Sequence, residues 1–334
     1  MIKKPREKSV RLLTLEAAIR RVPHEHPKYR LIEKEHGKLH YGFIGEKALD
    51  YFLTFLPNKN TQLLHGLRIE DPLNRFFQMD TLLITPAYCL ILDSKYISGT
   101  LEFDETTNQL IRHRGEEKEK FGDPLSQIER QKYQLSLWLD KHNFPPLPIA
   151  GQIVLTHSNA TLINATPSLM KKVAFHTNLP NKLQDLDNQK FEPLLDNPTY
   201  KKLTKVLIKK HTPDDFSLLH HYGIHYHELR KGVVCPRCTY LPMLQKHGSW
   251  ICRNCGLYSK TAHIENLMDY KLLVGNIITN RMIRDFLLLP SPNVANYLLS
   301  SMNLPNQGTN KGRKYLLNYF QTITMPEHNK KPPR

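Results

Sequence analysis

Two groups of side chains in this sequence have the types and spacing that chemistry needs. Cys235-Pro-Arg-Cys238 and Cys252-Arg-Asn-Cys255 are paired C-x-x-C knuckles, and Asp80, Asp93 and Lys95 lie on two neighbouring apolar runs. Each knuckle offers two thiolates, and Thr239–Ile251 can return the second pair as a hairpin, so the four sulfurs suit one tetrahedral Zn2+. Four thiolates leave no open position for a water, which makes such a zinc structural. The doubled motif, in a chain whose start shows no export signal, weighs against a disulfide or redox pair. Cys89, alone among apolar residues, reads as a small buried hydrophobe.

The acidic group follows from register. If the runs ending near Thr85 and beginning at Tyr88 close symmetrically on Pro86-Ala87, Asp80 sits opposite Asp93, with Cβ atoms about 5 Å apart. Lys95 shares that face, because side chains on one side of a strand recur every second residue. Two facing carboxylates repel unless a cation lies between them. Hard Mg2+ or Mn2+ fits oxygen ligands, and Lys95 alone could also neutralise one of them. A metal on Asp80 and Asp93, with the Ser94 carbonyl as a further candidate, would polarise a phosphodiester and acidify a water, with Lys95 stabilising the charge that develops. Glu46 is the third candidate ligand, beside Gly42 and Gly45, which permit close backbone approach. Gln127 is a candidate hydrogen-bonding support. The opposing reading is a solvated set of strand-end charges worth under about 1 kcal/mol.

These residues need elements to hold them. Apolar positions from Gly45 to Phe55 predict a helix ended by Pro57 and Asn58, with Glu46 in its first turn. Gln62–Ile69, Phe76–Thr85, Tyr88–Lys95 and Thr100–Phe103 predict an antiparallel meander. Asp123 as N-cap and Pro124 at the first position predict a helix that carries Gln127 and ends near Asn143. Ile149–Leu155 and Val173–His176 read as further strands, and short polar helices follow around Asn178–His211.

Gly42-Phe-Ile-Gly45-Glu46, Gln78-Met-Asp80, Asp93-Ser-Lys95-Tyr-Ile-Ser-Gly99 and Pro124-Leu-Ser-Gln127 together resemble the nuclease-related domain, NERD, over about residues 38–160. That family is similar to the PD-(D/E)xK nucleases. The resemblance implies a mixed α/β, restriction-endonuclease-like sheet flanked by helices, a divalent metal and phosphodiester hydrolysis. Carried over by position, Asp80, Asp93 and Lys95 match the superfamily core, Glu46 the helix-one acid and Gln127 the later helix motif. The chain departs from the usual Glu-x-Lys by carrying Asp93-Ser-Lys95, whose shorter carboxylate draws a metal nearer the strand.

The expected order is a basic segment at 1–37, a nuclease domain at 38–178, a helical linker at 179–231, a zinc ribbon at 232–260 and a helical, helix-turn-helix-like domain at 261–334. In the last, Arg281–Leu289 and a helix entered through Ser291-Pro-Asn293 precede the basic loop Lys311-Gly-Arg-Lys314. Asn293, Asn296, Lys311, Arg313 and Lys314 would approach DNA, mostly at phosphates, or the domain serves docking or dimerisation. The histidines at 24, 26, 220, 221, 225 and 227 lack metalloprotease spacing and read as surface or interface residues. Forty-seven Lys and Arg against 31 Asp and Glu give a net charge of +16 in 334 residues, which favours a nucleic-acid partner. No stretch of 18 apolar residues occurs and no apolar run follows Met1-Ile-Lys-Lys, so the expectation is a cytoplasmic chain without a membrane partner, oligomeric or not. The sequence points to a metal-dependent nuclease. The alternatives are a DNA binder on an inactive nuclease fold and an interaction scaffold.

Overall fold

A computed structural model describes residues 2–56, 60–104, 106–107, 109–189, 192–246, 248–309 and 312–317. In chain order the elements are β1 (Ile2–Lys4), α1 (Val10–Arg21), α2 (Tyr29–Leu53), β2 (Gln62–Glu70), β3 (Phe76–Ile84), β4 (Cys89–Lys95), β5 (Gly99–Asp104), β6 (Gln109–Arg114), β7 (Glu117–Phe121), α3 (Pro124–Lys141), β8 (Ile149–Leu155), β9 (Ala160–Ile163), α4 (Pro167–Lys172), β10 (Val173–Phe175), α5 (Leu179–Asp187) and α6 (Asn197–Lys210). There follow α7 (Leu218–Tyr222), β11 (Leu244–Lys246), β12 (Ser249–Ile251), β13 (Tyr258–Ser259), α8 (Ala262–Leu273), β14 (Ile277–Thr279), α9 (Asn280–Leu287), α10 (Pro292–Ser301), β15 (Asn306–Gln307) and β16 (Lys314–Leu316).

These elements form two compact units: residues up to 9 with 37–214, and 10–36 with those from 215 onward. The division differs from the expected boundaries. Residues 2–9 do not stand apart as a basic segment, because β1 pairs in parallel with β2 at the edge of the main sheet. The stretch expected as a linker is divided, its part up to 214 belonging to the first unit.

The first unit is built on a mixed six-stranded sheet in the order β1-β2-β3-β4-β8-β10. β3 and β4 pair antiparallel with Thr81 opposite Leu92 and Ile84 opposite Cys89, the register that symmetric closure on Pro86-Ala87 demands. β4 and β8 run parallel, so both end on one side of the sheet, at Lys95 and Leu155. The strands' alternation sends Leu63, Leu83, Leu92 and Val154 to one face under Leu49 and Leu53 of α2 and Leu179 and Leu183 of α5. The neighbours Leu64, Leu82, Ile91 and Ile153 face the other way, under Ile128, Leu135 and Trp138 of α3 and Leu203 and Leu207 of α6. α3 begins as its cap dictates: the Asp123 carboxylate accepts the Ser126 N–H and Pro124 opens the helix.

Two expectations need correction. Helix one does not begin at Gly45. It spans Tyr29–Leu53, so Glu46 lies in its last third, and Gly37, Gly42 and Gly45 are carried inside it by strong helix formers such as Leu31, Glu33, Lys34 and Glu35. The Pro57 and Asn58 expected to end it lie outside the described residues. The strand expected at Thr100–Phe103 exists but does not continue the meander: β5 belongs to a separate four-stranded sheet, β7-β6-β5-β9. β6 and β7 were not foreseen, since Glu117–Phe121 is almost wholly charged and exposed.

The second unit contains the knuckles, the short sheet β11-β12-β13, helices α8 to α10 and a second short sheet in the order β14-β16-β15. It is therefore not purely helical beyond residue 260, because Lys314–Leu316 pairs as a strand with Ile277–Thr279 on one side and Asn306–Gln307 on the other. Val10–Arg21, inside the stretch expected as a basic segment, forms α1. Arg21 on that helix is buried and donates to Asp269 and to the carbonyl of Gly232. Among the described residues no helix is long and apolar enough to cross a membrane.

Candidate active site

Asp80 comes from β3, Asp93 and Lys95 from the carboxyl end of β4, and Gln127 from the first turn of α3. Asp93 is buried. Its Oδ1 accepts the Gln127 amide N–H at 3.0 Å, and its Oδ2 lies 2.6 Å from Lys95 Nζ without forming an aligned hydrogen bond. Lys95 Nζ in turn donates to Gln127 Oε1 at 3.2 Å, so one amide holds both members of the ion pair. Asp80 Oδ2 accepts from the Ser94 N–H at 2.9 Å and from its hydroxyl at 3.1 Å. The Ser94 hydroxyl was not foreseen as a support for Asp80. Burial and the neighbouring Asp80 charge push the Asp93 carboxyl up, to about 6, against the pull of Lys95.

Glu46 is held by a residue the sequence did not single out. Arg6, just after β1 and almost wholly buried, donates from Nη1 to Glu46 Oε2 at 2.8 Å and to the Asp80 carbonyl at 3.2 Å, and from Nε to Asp50 Oδ1 at 3.0 Å. Its Nη2 donates to Thr81 Oγ1 and meets His65 Nδ1, each at 2.9 Å. Burial and then the Arg6 charge push His65 down, to about 4, so at neutral pH the ring is uncharged and Nδ1 can accept. Burial and the Asp80 charge raise the Glu46 carboxyl to about 8, with Arg6 opposing. The sequence's only sign of Arg6 was its place in a basic run, Lys3-Lys-Pro-Arg6, which looks like a solvated tail.

Of the two glycines expected to allow close approach, Gly45 does so: a Cβ there would stand 2.5 Å from Tyr96 Cβ and 2.8 Å from Thr156 Oγ1. Gly42 faces open space.

The acidic side chains offer a set of hard oxygens, which suits a divalent cation, and Asp93 Oδ2 is met at 2.6 Å by the Lys95 ammonium. Asp80 and Asp93 supply that set. Glu46 is engaged by Arg6, and the three carboxylates do not bring their oxygens within 4.8 Å of one another. The cysteine quartet does bring its sulfurs within that distance, with Cys235 Sγ 3.6 Å from Cys255 Sγ and Cys238 Sγ 3.5 Å from Cys252 Sγ. Ligands about 2.3 Å from a tetrahedral zinc stand nearly as far apart, so the four cysteines could bind it.

Residues 41–156 match the family model of the nuclease-related domain, NERD. The match takes in Glu46, Asp80, Asp93, Lys95 and Gln127, while Arg6 and the cysteines fall outside it. No curated protein and no solved structure matches the chain. The matched segment thus holds the sheet's central strands, α3 and the second half of α2.

The described nucleic-acid candidates of the second unit lie on α10 and at the start of β16. Asn293, Asn296, Arg313 and Lys314 are exposed; Lys311 lies outside the described residues. Asn296 Oδ1 accepts from Asn280 Nδ2 at 2.6 Å, so its amide is partly committed to bracing α9 against α10. Ser291 caps α10 by accepting the Val294 N–H. The histidines at 24, 220, 221, 225 and 227 are exposed, and His26 meets Glu228 at 3.3 Å. Cys89 is buried, which pushes its thiol up to about 12 and keeps it unreactive.

Proposed function

We propose that the first unit is a divalent-metal-dependent nuclease hydrolysing phosphodiester bonds in DNA, with a PD-(D/E)xK-type site. The observation that carries this reading is the Asp93 and Lys95 pair at 2.6 Å, both members held by Gln127, at the carboxyl end of a central strand. A Mg2+ or Mn2+ ion held by Asp80 and Asp93, with Glu46 as a third carboxylate when free of Arg6, supplies Lewis acidity toward the phosphodiester. Ser94 aims Asp80 through two hydrogen bonds. Gln127 fixes Asp93 and keeps Lys95 on the same side, where its ammonium offsets the extra negative charge of the pentavalent phosphorus. The cysteine quartet holds a structural zinc. A thiolate-bound zinc suits a reducing compartment, the cytoplasm. Exposed Asn293, Arg313 and Lys314, together with Asn296 and Lys311, would position the second unit on phosphates.

Cleavage of plasmid, linear and single-stranded DNA with Mg2+ or Mn2+, with Asp93→Asn alongside, tests the reading. Metal-dependent cutting lost in the variant supports it. Equal cutting by both proteins overturns the site, and tight salt-sensitive binding without cutting favours the second reading, a non-catalytic DNA binder. One observation supports that alternative: Arg6 already supplies a cation to Glu46.

A further inference from the structure

Three aromatic rings of the first unit stand together where β4 and β8 end. Tyr96 directly follows Lys95, the last residue of β4, and His157 lies two residues beyond Leu155, the register partner of Lys95. The Tyr96 and His157 ring centroids are 4.6 Å apart. On the other side the Tyr41 ring, from α2, lies 6.2 Å from that of Tyr96 with the two planes within 8° of parallel. Tyr41 is 58% exposed, so the row of rings ends in solvent.

The backbone is shaped to make this cluster. Gly45 lies one helical turn after Tyr41, and the absence of its Cβ lets Tyr96 close on α2. With any side chain at 45, Tyr96 would be pushed away from α2 and from the Tyr41 ring. His157 is fixed in turn by accepting the Asn159 N–H at Nδ1, at 3.0 Å. Core packing explains Gly45 and Tyr96, but it does not explain why Tyr41 extends the row into solvent.

Resting on the reading of Asp93 and Lys95 as the phosphate site, we infer that Tyr41, Tyr96 and His157 form a stacking platform for an unpaired nucleobase, so that the substrate is single-stranded or frayed nucleic acid. The carboxyl ends of parallel strands are where α/β sheets gather ligands. Lys95 ends β4 and Tyr96 directly follows it, so the rings and the Asp93 and Lys95 pair occupy the same end of that strand. Aromatic rings bind any unpaired base through its π-face, whereas duplex bases offer theirs only at ends. The chain's net charge of +16 supplies attraction to phosphates but does not distinguish single from double strands.

The test is binding, without added Mg2+ or Mn2+, of a fluorescent thymidine dodecamer and of a duplex of the same length to the full chain and to Tyr41→Leu and Tyr41→Phe. Tyr41 is exposed, so neither change should disturb folding. The expected result is about tenfold weaker single-strand binding for Tyr41→Leu, within the usual worth of one stacked base, with Tyr41→Phe and all duplex affinities unchanged. Equal losses on both probes, no loss on the single strand, or no binding by the unmodified chain would each overturn the platform. Cleavage with Mg2+ is measured separately: its absence while the ring-dependent preference persists counts against the nuclease reading alone.

Discussion

Arg6 Nη1 lies 2.8 Å from Glu46 Oε2, joining the chain's first strand to the acid of α2. The Arg6 side chain is 4% exposed and also reaches Asp50, the Asp80 carbonyl, Thr81 and His65, so it offsets part of the burial and mutual repulsion that push these carboxyls toward protonation. Arg6→Gln should therefore lower stability by roughly 3 kcal/mol, the scale of breaking a buried ion pair from one side. Mn2+ should then raise the melting temperature of the variant more than that of the unmodified chain, because an external cation replaces the missing one. Thermal melts with and without Mn2+ read both effects. An unchanged melting temperature in Arg6→Gln would remove Arg6 from this role.

Lys95→Met and Asp93→Asn separate chemistry from folding. Lys95 is the only cation seen against Asp93 among the described residues, and removing an electrostatic partner of a reacting phosphate costs about 100- to 1,000-fold in rate. Zinc content and second-unit stability should stay as they are, since neither residue belongs to that unit. Single-turnover cleavage with metal analysis checks this, and a Lys95→Met variant cutting at the full rate would refute the assignment.

Gly45 and Gly42 should respond to alanine in opposite directions. Both lie inside α2, where alanine gains up to about 1 kcal/mol of helix propensity. At 42 nothing stands within 4 Å of the new methyl, so Gly42→Ala should stabilise. At 45 the methyl meets Tyr96 Cβ at 2.5 Å, on backbone-fixed carbon that cannot rotate away, and overpacking of about 1–3 kcal/mol should win. Urea unfolding of the two variants decides it, and a stabilised Gly45→Ala would mean that Tyr96 and α2 move apart freely.

What the sequence revealed follows from how local its signals are. The β3 and β4 register was legible because a four-residue loop centred on Pro86-Ala87 leaves one pairing, and α3 because Asp123 and Pro124 mark its start. The knuckles were legible because their ligands lie close in the chain. The start of α2 was hidden: Gly37, Gly42 and Gly45 look like breakers, and the polar stretch before them has a weak apolar stripe. β7 was hidden because Glu117–Phe121 has no apolar alternation, its strand character coming from pairing with β6. Arg6 was hidden because every partner lies 40 or more residues away, so only the folded sheet brings them together.

His263 gives the second unit an acid-labile lock. The ring is buried, and its Nδ1 accepts the N–H of buried Trp250 at 3.2 Å, which requires that nitrogen to be unprotonated. Burial pushes its pKa down to about 4, from about 6.5 in an unfolded chain. A group depressed in this way binds more protons in the unfolded state between those values. Its contribution is therefore complete above pH 6.5 and is lost as pH falls toward 4, by on the order of 3 kcal/mol in all. Trp250 itself reports the transition, in a Trp138→Phe background that leaves it as the sole tryptophan. Urea unfolding by tryptophan emission should show the chain weaker at pH 5 than at pH 7.5, and His263→Gln, which keeps an acceptor but does not titrate, should narrow that gap. If the glutamine variant loses as much stability as the parent over that range, the acid sensitivity originates elsewhere, and the Trp250 and His263 contact is structural at every pH.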